Sequence, residues 1–491
     1  MQEKGSVIQA DSSYPRFQLL SEEQRRRIAQ AALRILERIG MKTTESDIVK
    51  ILRQAGAQVD GDRVRLPSTL VQKAIHSAPS CITIYNQAGE EALFLSGYNT
   101  YFGASVDGPT ILDPRTGEYR ECLEEDVGWI ARLADGLHNI DFLMPAGFAA
   151  DREVKLAERI AFKQCILNSS KPILAICQRM RDLKDIHEMA ALVAGGKEKL
   201  QQRPFLMHYA EPISPLVNPD ASLQRVRYCA KHQIPLVYSP FLAMGATAPH
   251  HMAAAVAQGC AESLFGLVVH QVSQPGAPFI MGAMPSLMDM KTASFAYGAP
   301  ELYLMCGAMA EMAHHFKLPS FGTAGTGDAK RFDGQAVLEA TSSFYLAILS
   351  GSNLIHDVGL FGSAQLLIPE MIVAADEIIG MVRRSLKGFE VTEEALALDL
   401  MEEVGPGGEY VSHPDTLKHF RDAWYPSLLD RRSFDPSIDY DTFEERVKRK
   451  TLELIKTNYP PVLPPEKVER LLEMERSWTV SYTHLTLPTK A

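Results

Sequence analysis

The strongest constraint on the fold of this chain is a series of short apolar runs, each followed by a longer amphipathic stretch. The eight runs lie at 100–106, 140–145, 172–177, 204–209, 235–239, 278–282, 319–323 and 353–358. The helix-like stretches follow at 124–136, 152–168, 183–194, 221–231, 250–272, 300–316, 335–349 and 369–384. Repeated βα units give parallel strands joined by right-handed crossovers, and eight of them close a barrel. The sequence therefore predicts an α/β fold, a (β/α)8 TIM barrel, with a doubly wound open sheet as the alternative.

Helical patterns flank the predicted barrel on both sides. Ser21 and Gln24 have the spacing of a capping box, Gly40 is a plausible stop, and further helices are expected at 46–55 and from Pro67. After the barrel, helical stretches at 391–404 and 440–455 are separated by proline- and glycine-rich breaks. The expected organisation is an N-terminal helical region (1–80), a barrel domain (81–388) and a C-terminal helical extension (389–480). Residues 481–491 fit no element and are interpreted as a non-native tail.

Composition narrows the class of partner. Sixty acidic residues against fifty basic ones give a net charge of −10, which argues against nucleic acid or an anionic membrane surface as a partner. No apolar run approaches the ~20 residues that span a bilayer, and the N-terminus lacks the layout of a signal peptide. Seven scattered cysteines without a C-x-x-C motif predict neither disulfides nor a structural zinc site. A cytoplasmic enzyme is expected.

In a barrel of this kind, function lies at the carboxyl ends of the strands and in the loops that follow. That rule selects a set with few carboxylates and one obvious histidine. The set comprises Asp107, Gly108, residues 144–147, Gln178, Tyr209, Glu211, residues 239–241, 282–284 and 323–328, His356 and Asp357. Because the chain has no P-loop, no H-E-x-x-H and no cysteine cluster, no metal site is expected.

Aromatic residues collect at the predicted strands and loops. They are Tyr101, Phe102, Tyr209, Tyr238, Phe241, Phe321 and Phe361. Aromatic rings attract a quaternary ammonium ion by cation–π interaction, which needs no hydrogen bond from that ion. The alternative is that large apolar side chains simply fill the barrel.

The motifs resemble those of the trimethylamine methyltransferase superfamily, in its branch without pyrrolysine. The resemblance covers roughly residues 20–475. It is carried by Gly-Ala-Ser-Val-Asp-Gly-Pro at 103–109, Ser-Pro-Phe at 239–241, Gly-Ala-Thr-Ala-Pro at 245–249, Gly-Ala-Pro-Glu at 298–301, Asp-Gly-Gln at 333–335 and Asn-Leu-Ile-His-Asp-Val-Gly at 353–359.

The resemblance implies a barrel enzyme that moves a methyl group from a methylated amine to the Co(I) of a partner corrinoid protein. The corrinoid would be carried by that partner, so no tightly bound cofactor is expected. In the trimethylamine enzymes a pyrrolysine activates the substrate; here the corresponding position lies near Gly334, an ordinary glycine. This departure points to quaternary amines: glycine betaine, proline betaine, carnitine or γ-butyrobetaine.

Leaving-group chemistry agrees, because a quaternary ammonium ion that loses methyl departs as a neutral tertiary amine and needs no acid catalyst. Asp107 and His356 are the expected catalytic pair. The expected substrate-binding residues are Tyr101, Phe102, Tyr209, Phe241, Phe321, Lys330, Arg331, Gln335, Phe361 and Gln365. Among these, His356, Lys330, Arg331 and Gln335 are the candidates to hold a betaine carboxylate.

Two other functions stay open at this point. One is a barrel lyase or hydrolase that uses Asp107, His356 and Asp357 as acid–base groups. The other is a non-catalytic quaternary-amine sensor. The acidic surface and the C-terminal helices also predict a homo-oligomer.

Overall fold

Eight parallel strands close into a barrel in the computed structural model, which describes residues 15–104, 107–147, 149–460 and 463–483. The strands pair in chain order, and the eighth pairs with the first. They are β1 Tyr101–Ala104, β2 Phe142–Leu143, β3 Ile173–Ile176, β4 Leu206–Ala210, β5 Leu236–Tyr238, β6 Phe279–Gly282, β7 Ser320–Thr323 and β8 Leu354–Val358. The predicted TIM barrel is confirmed, and the open sheet is wrong.

A helix follows each strand and covers the outside of the barrel. These helices are α1 Glu124–Asp135, α2 Val154–Asn168, α3 Met180–Ala194, α4 Asp220–His232, α5 Met252–Ser273, α6 Pro300–His315, α7 Gly334–Ser350 and α8 Pro369–Leu386. Each coincides with a helical stretch expected from the apolar periodicity. Since all eight strands are parallel, their carboxyl ends meet at one face, the mouth of the barrel.

The longest of these helices, α5, is a core helix. By length and composition it is apolar enough to cross a membrane, but 83% of its most apolar window is buried inside the protein. The Tyr238 ring of β5 packs directly against Gly266, where any Cβ atom would overlap it. The N-terminal helices pack on the outer side of α5. The apolar side chains of α5 are therefore buried within the core of the protein.

The N-terminal region begins with the expected capping box. Ser21 caps helix Glu22–Arg34 together with Gln24, and the helix continues as a π-helical turn, Ile35–Ile39, that ends at Gly40 with φ 77°. Two expected helices and two small sheets follow this turn. These are Ser46–Gln54, Ser68–Ser77, Met41–Lys42, Gln58–Asp60, Arg63–Arg65, Ile82–Tyr85 and Glu91–Leu95.

Two further small sheets lie on the loops at the mouth. One contains Phe241–Met244, Met284–Asp289 and Ser294–Phe295; the other contains Thr110–Leu112, Tyr119–Glu121, Leu360–Phe361 and Leu366–Leu367. They fix the long loops after β1, β5, β6 and β8.

After α8 the chain forms short helices and then two longer ones. The expected helix at 391–404 is broken in two at Ala397, whose φ of 48° lies in the left-handed region. The elements are Glu393–Leu396, Leu398–Val404, Pro414–His419, Phe443–Thr457 and Pro465–Thr483. Of the expected tail, 484–491 lie outside the described residues.

Candidate active site

A cavity of about 490 Å³ opens at the carboxyl ends of the strands. Its walls come from the ends of β3, β4 and β8 and from the loops after β1, β2, β4, β5, β6 and β8. The lining residues are Asp107, Met144, Ile176, Tyr209, Glu211, Pro212, Ile213, Ser214, Phe241, Ala243, Thr247, Met284, Tyr297, His356, Asp357, Leu360 and Ala364. The position is the one that barrel enzymes use for catalysis.

Two consecutive residues of β8, His356 and Asp357, both line this cavity. In a regular strand their side chains would point to opposite faces. Here the pairing of β8 with β1 shifts register between Ile355 and Val358, and Asp357 has φ 74°. A left-handed aspartate costs on the order of 1–3 kcal/mol, and such conformations cluster at functional sites. The bulge thus turns both side chains toward the cavity.

The imidazole of His356 is held between two oxygen acceptors. Its Nδ1 lies 2.8 Å from the carbonyl oxygen of Gly322, and its Nε2 lies 3.2 Å from Oδ2 of Asp357. Asp357 Oδ2 also accepts a hydrogen bond from the Thr323 hydroxyl at 2.7 Å. The contacts on its two nitrogens fix the orientation of the imidazole ring at the cavity.

Two more carboxyl groups face the same space, Asp107 and Glu211. Burial, with the nearby Asp357 and Glu211 charges, raises the pKa of Asp107 to about 6. Burial also raises the pKa of Glu211, whose Oε2 accepts a hydrogen bond from the Tyr209 hydroxyl at 2.8 Å. Asp107, Glu211 and Asp357 were all in the set selected from the strand ends. Of the described residues that line the cavity, none is a lysine or an arginine, so the cavity favours a positively charged occupant.

Aromatic rings form two groups at this site. In the first, the Phe321 ring lies 4.3 Å from His356 and 5.8 Å from Tyr209, measured between ring centroids. In the second, Phe241 stacks on Phe295 at 4.0 Å, and Phe295 lies 4.9 Å from Tyr297. Tyr209, Phe241 and Tyr297 present their rings to the cavity itself, which adds cation–π attraction to the charge of the carboxylates.

Four of the residues that the sequence analysis proposed come together at the cavity: Asp107, Tyr209, Phe241 and His356. Phe321 packs behind the His356 ring and is buried.

Two proposed residues of β1 lie elsewhere. The Tyr101 hydroxyl accepts a hydrogen bond from the Phe94 backbone N–H, close to where the barrel strands begin and therefore far from the mouth. Phe102 is buried against Phe344 of α7, with ring centroids 5.3 Å apart, so its side chain faces outward. Alternation along the strand explains why its neighbours face the other way.

Lys330, Arg331 and Gln335 also do not line the cavity. Their loop is held by Glu339, whose carboxylate accepts the backbone N–H groups of Asp328 and Ala329 and the side-chain amide of Gln335. Lys330 donates to a carbonyl of its own loop, and both Lys330 and Arg331 are exposed. The capped loop thus keeps these donors away from the cavity.

Phe361 and Gln365 lie on the hairpin after β8 and miss the cavity as well. Phe361 is fully buried in the core, whereas Gln365 is exposed and its side chain donates to Ala364. The neighbours Leu360 and Ala364 take the lining positions instead.

Three residues that line the cavity had no expected role in binding the substrate. Glu211 was selected by its place after β4 but given no role, and Asp357 was named only as an acid–base alternative. Tyr297 was missed, since it follows the hairpin that ends at Phe295 and lies far from the end of any barrel strand. Among the described residues, no group of three or more histidine, cysteine, aspartate or glutamate side chains is arranged to hold a metal ion.

The sequence is similar to that of known proteins over almost its whole length. The family model for trimethylamine methyltransferase (MTTB) matches residues 2–477. The trimethylamine methyltransferase MttB of Desulfitobacterium hafniense (strain DSM 10664 / DCB-2) is 30% identical over 462 residues, which is 92% of each chain. The glycine betaine methyltransferase of Desulfitobacterium hafniense (strain Y51) is 28% identical over 459 residues, 92% of this chain and 95% of the relative.

Among solved structures, the Methanosarcina barkeri monomethylamine methyltransferase (MtmB) covers 91% of this chain and 92% of its own, at 12% identity and a TM-score of 0.49. Taken with the family match, the barrel and its mouth define a methyltransferase enzyme. The chain belongs to the trimethylamine methyltransferase family.

Proposed function

We propose that this protein transfers a methyl group from a quaternary ammonium ion to the Co(I) of a partner corrinoid protein. The observation that carries the proposal is the composition of the cavity wall: three carboxylates and three aromatic rings, with no lysine or arginine among the described lining residues. Such a wall attracts a cation by charge and by cation–π interaction. Relatives named for trimethylamine and for glycine betaine support a methylated amine as the donor.

The electron balance fits a site without a strong general acid. When the N–CH₃ bond breaks, its electron pair stays on nitrogen and yields a neutral tertiary amine. The Co(I) acceptor supplies both electrons of the new carbon–cobalt bond and becomes methyl–Co(III). What this chain must do is hold the ammonium group in line with the acceptor and exclude water.

The geometry assigns these tasks to named side chains. Asp107, Glu211 and Asp357 spread negative charge around the cavity, while Tyr209 and Tyr297 wall it. Since the positive charge on nitrogen falls as methyl leaves, a single tight ion pair would favour the ground state over the transition state. Charge spread over several carboxyl groups, with the pKa of Asp107 raised to about 6, would make that penalty smaller than a single contacting ion pair would.

The charge of the cavity also bears on the kind of quaternary amine. A betaine carries its own carboxylate, and His356 is the sole basic side chain among the described residues that line the cavity. That ring already lies 3.2 Å from Asp357. A betaine carboxylate would therefore face three carboxyl groups and, among the described lining residues, no lysine or arginine, so the cavity favours a quaternary cation without a carboxylate, such as tetramethylammonium or choline. Betaines stay in the test because one relative is a glycine betaine methyltransferase.

Gly334 supports a quaternary rather than a tertiary donor. It is the first residue of α7, it is exposed, and a Cβ atom there would meet nothing within 4 Å. No side chain at this position can activate an amine.

All seven cysteines are unpaired, which suits the reducing, cytoplasmic setting that a Co(I) acceptor needs.

The test is anaerobic incubation of the protein with cob(I)alamin and one donor at a time, following conversion of the Co(I) spectrum to that of methyl–Co(III). Donors are tetramethylammonium, choline, glycine betaine, proline betaine, carnitine, γ-butyrobetaine and trimethylamine. We expect methylation with tetramethylammonium or choline, faster than with any betaine. Reaction with a betaine alone would keep the methyl transfer and overturn the charge argument. Binding without methylation would favour a sensor, and turnover without cobalt an acid–base enzyme.

A further inference from the structure

A second, smaller cavity adjoins the active-site cavity on the side of α2. Its volume is about 40 Å³, and among the residues that line it are Asp107, Ala157, Glu158, Ala161, Ile176 and Gln178. Asp107 and Ile176 also line the larger cavity, so the two cavities meet at these two side chains. One enclosed water takes roughly 10–15 Å³ of such space. The smaller cavity, named the side cavity, therefore has room for about three non-hydrogen atoms.

The wall of the side cavity combines apolar side chains with a few polar groups. Two alanines of α2 and Ile176 of β3 supply apolar surface, whereas Asp107, Glu158 and Gln178 supply the polar groups. Of the described residues in this wall, none is a lysine or an arginine. An anionic group would face two carboxyl groups here, so the side cavity disfavours a carboxylate.

Glu158 is held in place by the loop after β3. Its Oε1 and Oε2 each lie 3.1 Å from the backbone nitrogen of Gln178, whose N–H donates to them. Arg225 of α4, which is buried, donates to the carbonyl oxygen of the same residue. Because Gln178 is fixed from two sides, the Glu158 carboxyl group has a defined position at the wall of the side cavity.

The protonation of Glu158 suits a neutral polar ligand. Burial and a hydrogen bond with the Asp182 carboxyl group raise the pKa of Glu158 to about 7. Asp182 is buried and lies 2.9 Å from Nε of Arg159 and 2.7 Å from Nε of Arg179, so it is the ionised member of the pair. A proton on Glu158 is therefore shared with Asp182, and the remaining lone pairs of Glu158 can only accept hydrogen bonds.

We propose that the side cavity binds a hydroxyl-bearing substituent of the quaternary ammonium ion, as in choline, and that the substrate hydroxyl donates to Glu158. The inference rests on the proposed function, because it places the ammonium group beside Asp107 in the larger cavity. A 2-hydroxyethyl chain has three non-hydrogen atoms, which matches the volume of the side cavity. Its two methylene groups would contact Ala157, Ala161 and Ile176. Glu158 is thus a residue that determines specificity.

The first test uses the wild-type protein only, so it does not depend on how a variant folds. Isothermal titration calorimetry measures the Kd of choline, propyltrimethylammonium and tetramethylammonium. Propyltrimethylammonium has the shape of choline with a methyl group in place of the hydroxyl. We expect choline to bind roughly tenfold more tightly than propyltrimethylammonium, since a site that hydrogen-bonds a hydroxyl rejects the analogue without one.

Variants of α2 assign that preference to the side cavity. Glu158→Leu removes the acceptor and should abolish the preference for choline over propyltrimethylammonium, whereas Glu158→Gln keeps an acceptor and should retain most of it. The matched control is Glu153→Leu, because Glu153 directly precedes α2 and is exposed. It should bind all three ions as the wild type does.

A variant that fills the side cavity tests the volume argument independently. Ala161 is almost fully buried, and Ala161→Leu adds apolar atoms at this wall. We expect it to weaken the binding of choline and propyltrimethylammonium about tenfold relative to that of tetramethylammonium, which has no chain to place there. Equal effects on all three ions would overturn the proposal.

The remaining outcomes separate this inference from the proposed function. If tetramethylammonium and choline bind but propyltrimethylammonium binds as tightly as choline, the side cavity does not read a hydroxyl, and the proposed function stands. A preference for choline that persists in Glu158→Leu also overturns the inference alone. So does glycine betaine that binds more tightly than choline and loses this advantage in Glu158→Leu. If no quaternary ammonium ion binds, both the inference and the proposed function are wrong.

Discussion

Nε2 of His356 lies 3.2 Å from Oδ2 of Asp357, the next residue in the chain. Adjacent side chains meet in this way because a bulge in β8 places Asp357 at φ 74°. The Thr323 hydroxyl and the Gly322 carbonyl fix the pair from the neighbouring strand β7. The cavity therefore has a positioned imidazole beside Asp357, one of the three carboxyl groups that line the cavity.

Asp357→Asn tests whether the Asp357 charge serves binding. Asparagine keeps the shape and tolerates a positive φ, so only the charge is lost. We expect the Kd for a quaternary cation to rise roughly tenfold, which corresponds to ~1.4 kcal/mol. Isothermal titration calorimetry measures it. Asp357→Ala is the control, since it should also lower the free energy of unfolding by about 1–3 kcal/mol through backbone strain. An unchanged Kd in Asp357→Asn would remove this carboxylate from the cation site.

The pH dependence of binding should report the ionisation of Asp107. Its pKa is raised to about 6, mainly by burial and then by Asp357 and Glu211. Below pH 6 the group is neutral and attracts a cation less, so affinity should increase as the pH rises through 6. Binding of tetramethylammonium, which does not titrate, measured from pH 5 to pH 8 isolates the protein's contribution. Asp107→Asn should flatten the profile; a profile that stays the same in this variant would assign the titration to another group.

The ionisation of Asp107 should lower the free energy of unfolding as the pH rises, whereas it should increase the affinity for a cation. A carboxyl whose folded pKa is raised contributes stability that is full below its unfolded pKa near 4 and is lost as pH rises through about 6. Asp107→Asn should therefore increase the free energy of unfolding at pH 7 by about 1–3 kcal/mol, and change it little at pH 4. Urea unfolding at the two pH values checks both. A variant less stable at pH 7 would show that the ionised carboxylate is stabilised by contacts in the folded state.

The sequence predicted the barrel because strands and helices differ in the period at which apolar residues recur. Eight strand–helix units could therefore be recognised, and eight such units form a closed barrel. Asp107, Tyr209 and His356 were found because they lie near the carboxyl ends of barrel strands. The prediction that Phe102 binds substrate was wrong because both faces of a barrel strand are apolar. The sequence pattern therefore does not say which side chains point into the barrel. Tyr297 depends on tertiary packing of a long loop, which leaves no periodic signal.

Phe361 and Phe241 offer a direct contrast between core and site. Phe361→Ala should lower the free energy of unfolding by about 3–5 kcal/mol, because the ring is fully buried, yet leave cation affinity unchanged. Phe241→Ala should weaken cation binding by ~1–2 kcal/mol with a smaller loss of stability, because its ring is half-buried and faces the cavity. Chemical denaturation and calorimetry on both variants separate the two roles. Weakened binding in Phe361→Ala, with Phe241→Ala unaffected, would reverse the assignment.

The most direct measurement of the central claim follows the methyl carbon itself. Tetramethylammonium labelled with ¹³C in its methyl groups is incubated with the protein and cob(I)alamin, and carbon NMR records the products. We predict one ¹³C-methyl group on cobalt for each trimethylamine formed, and a loss of this transfer in a protein that carries both Asp107→Asn and Asp357→Asn. Release of the label as methanol or another cobalt-free product, or persistence of the full rate in the double variant, would contradict the account.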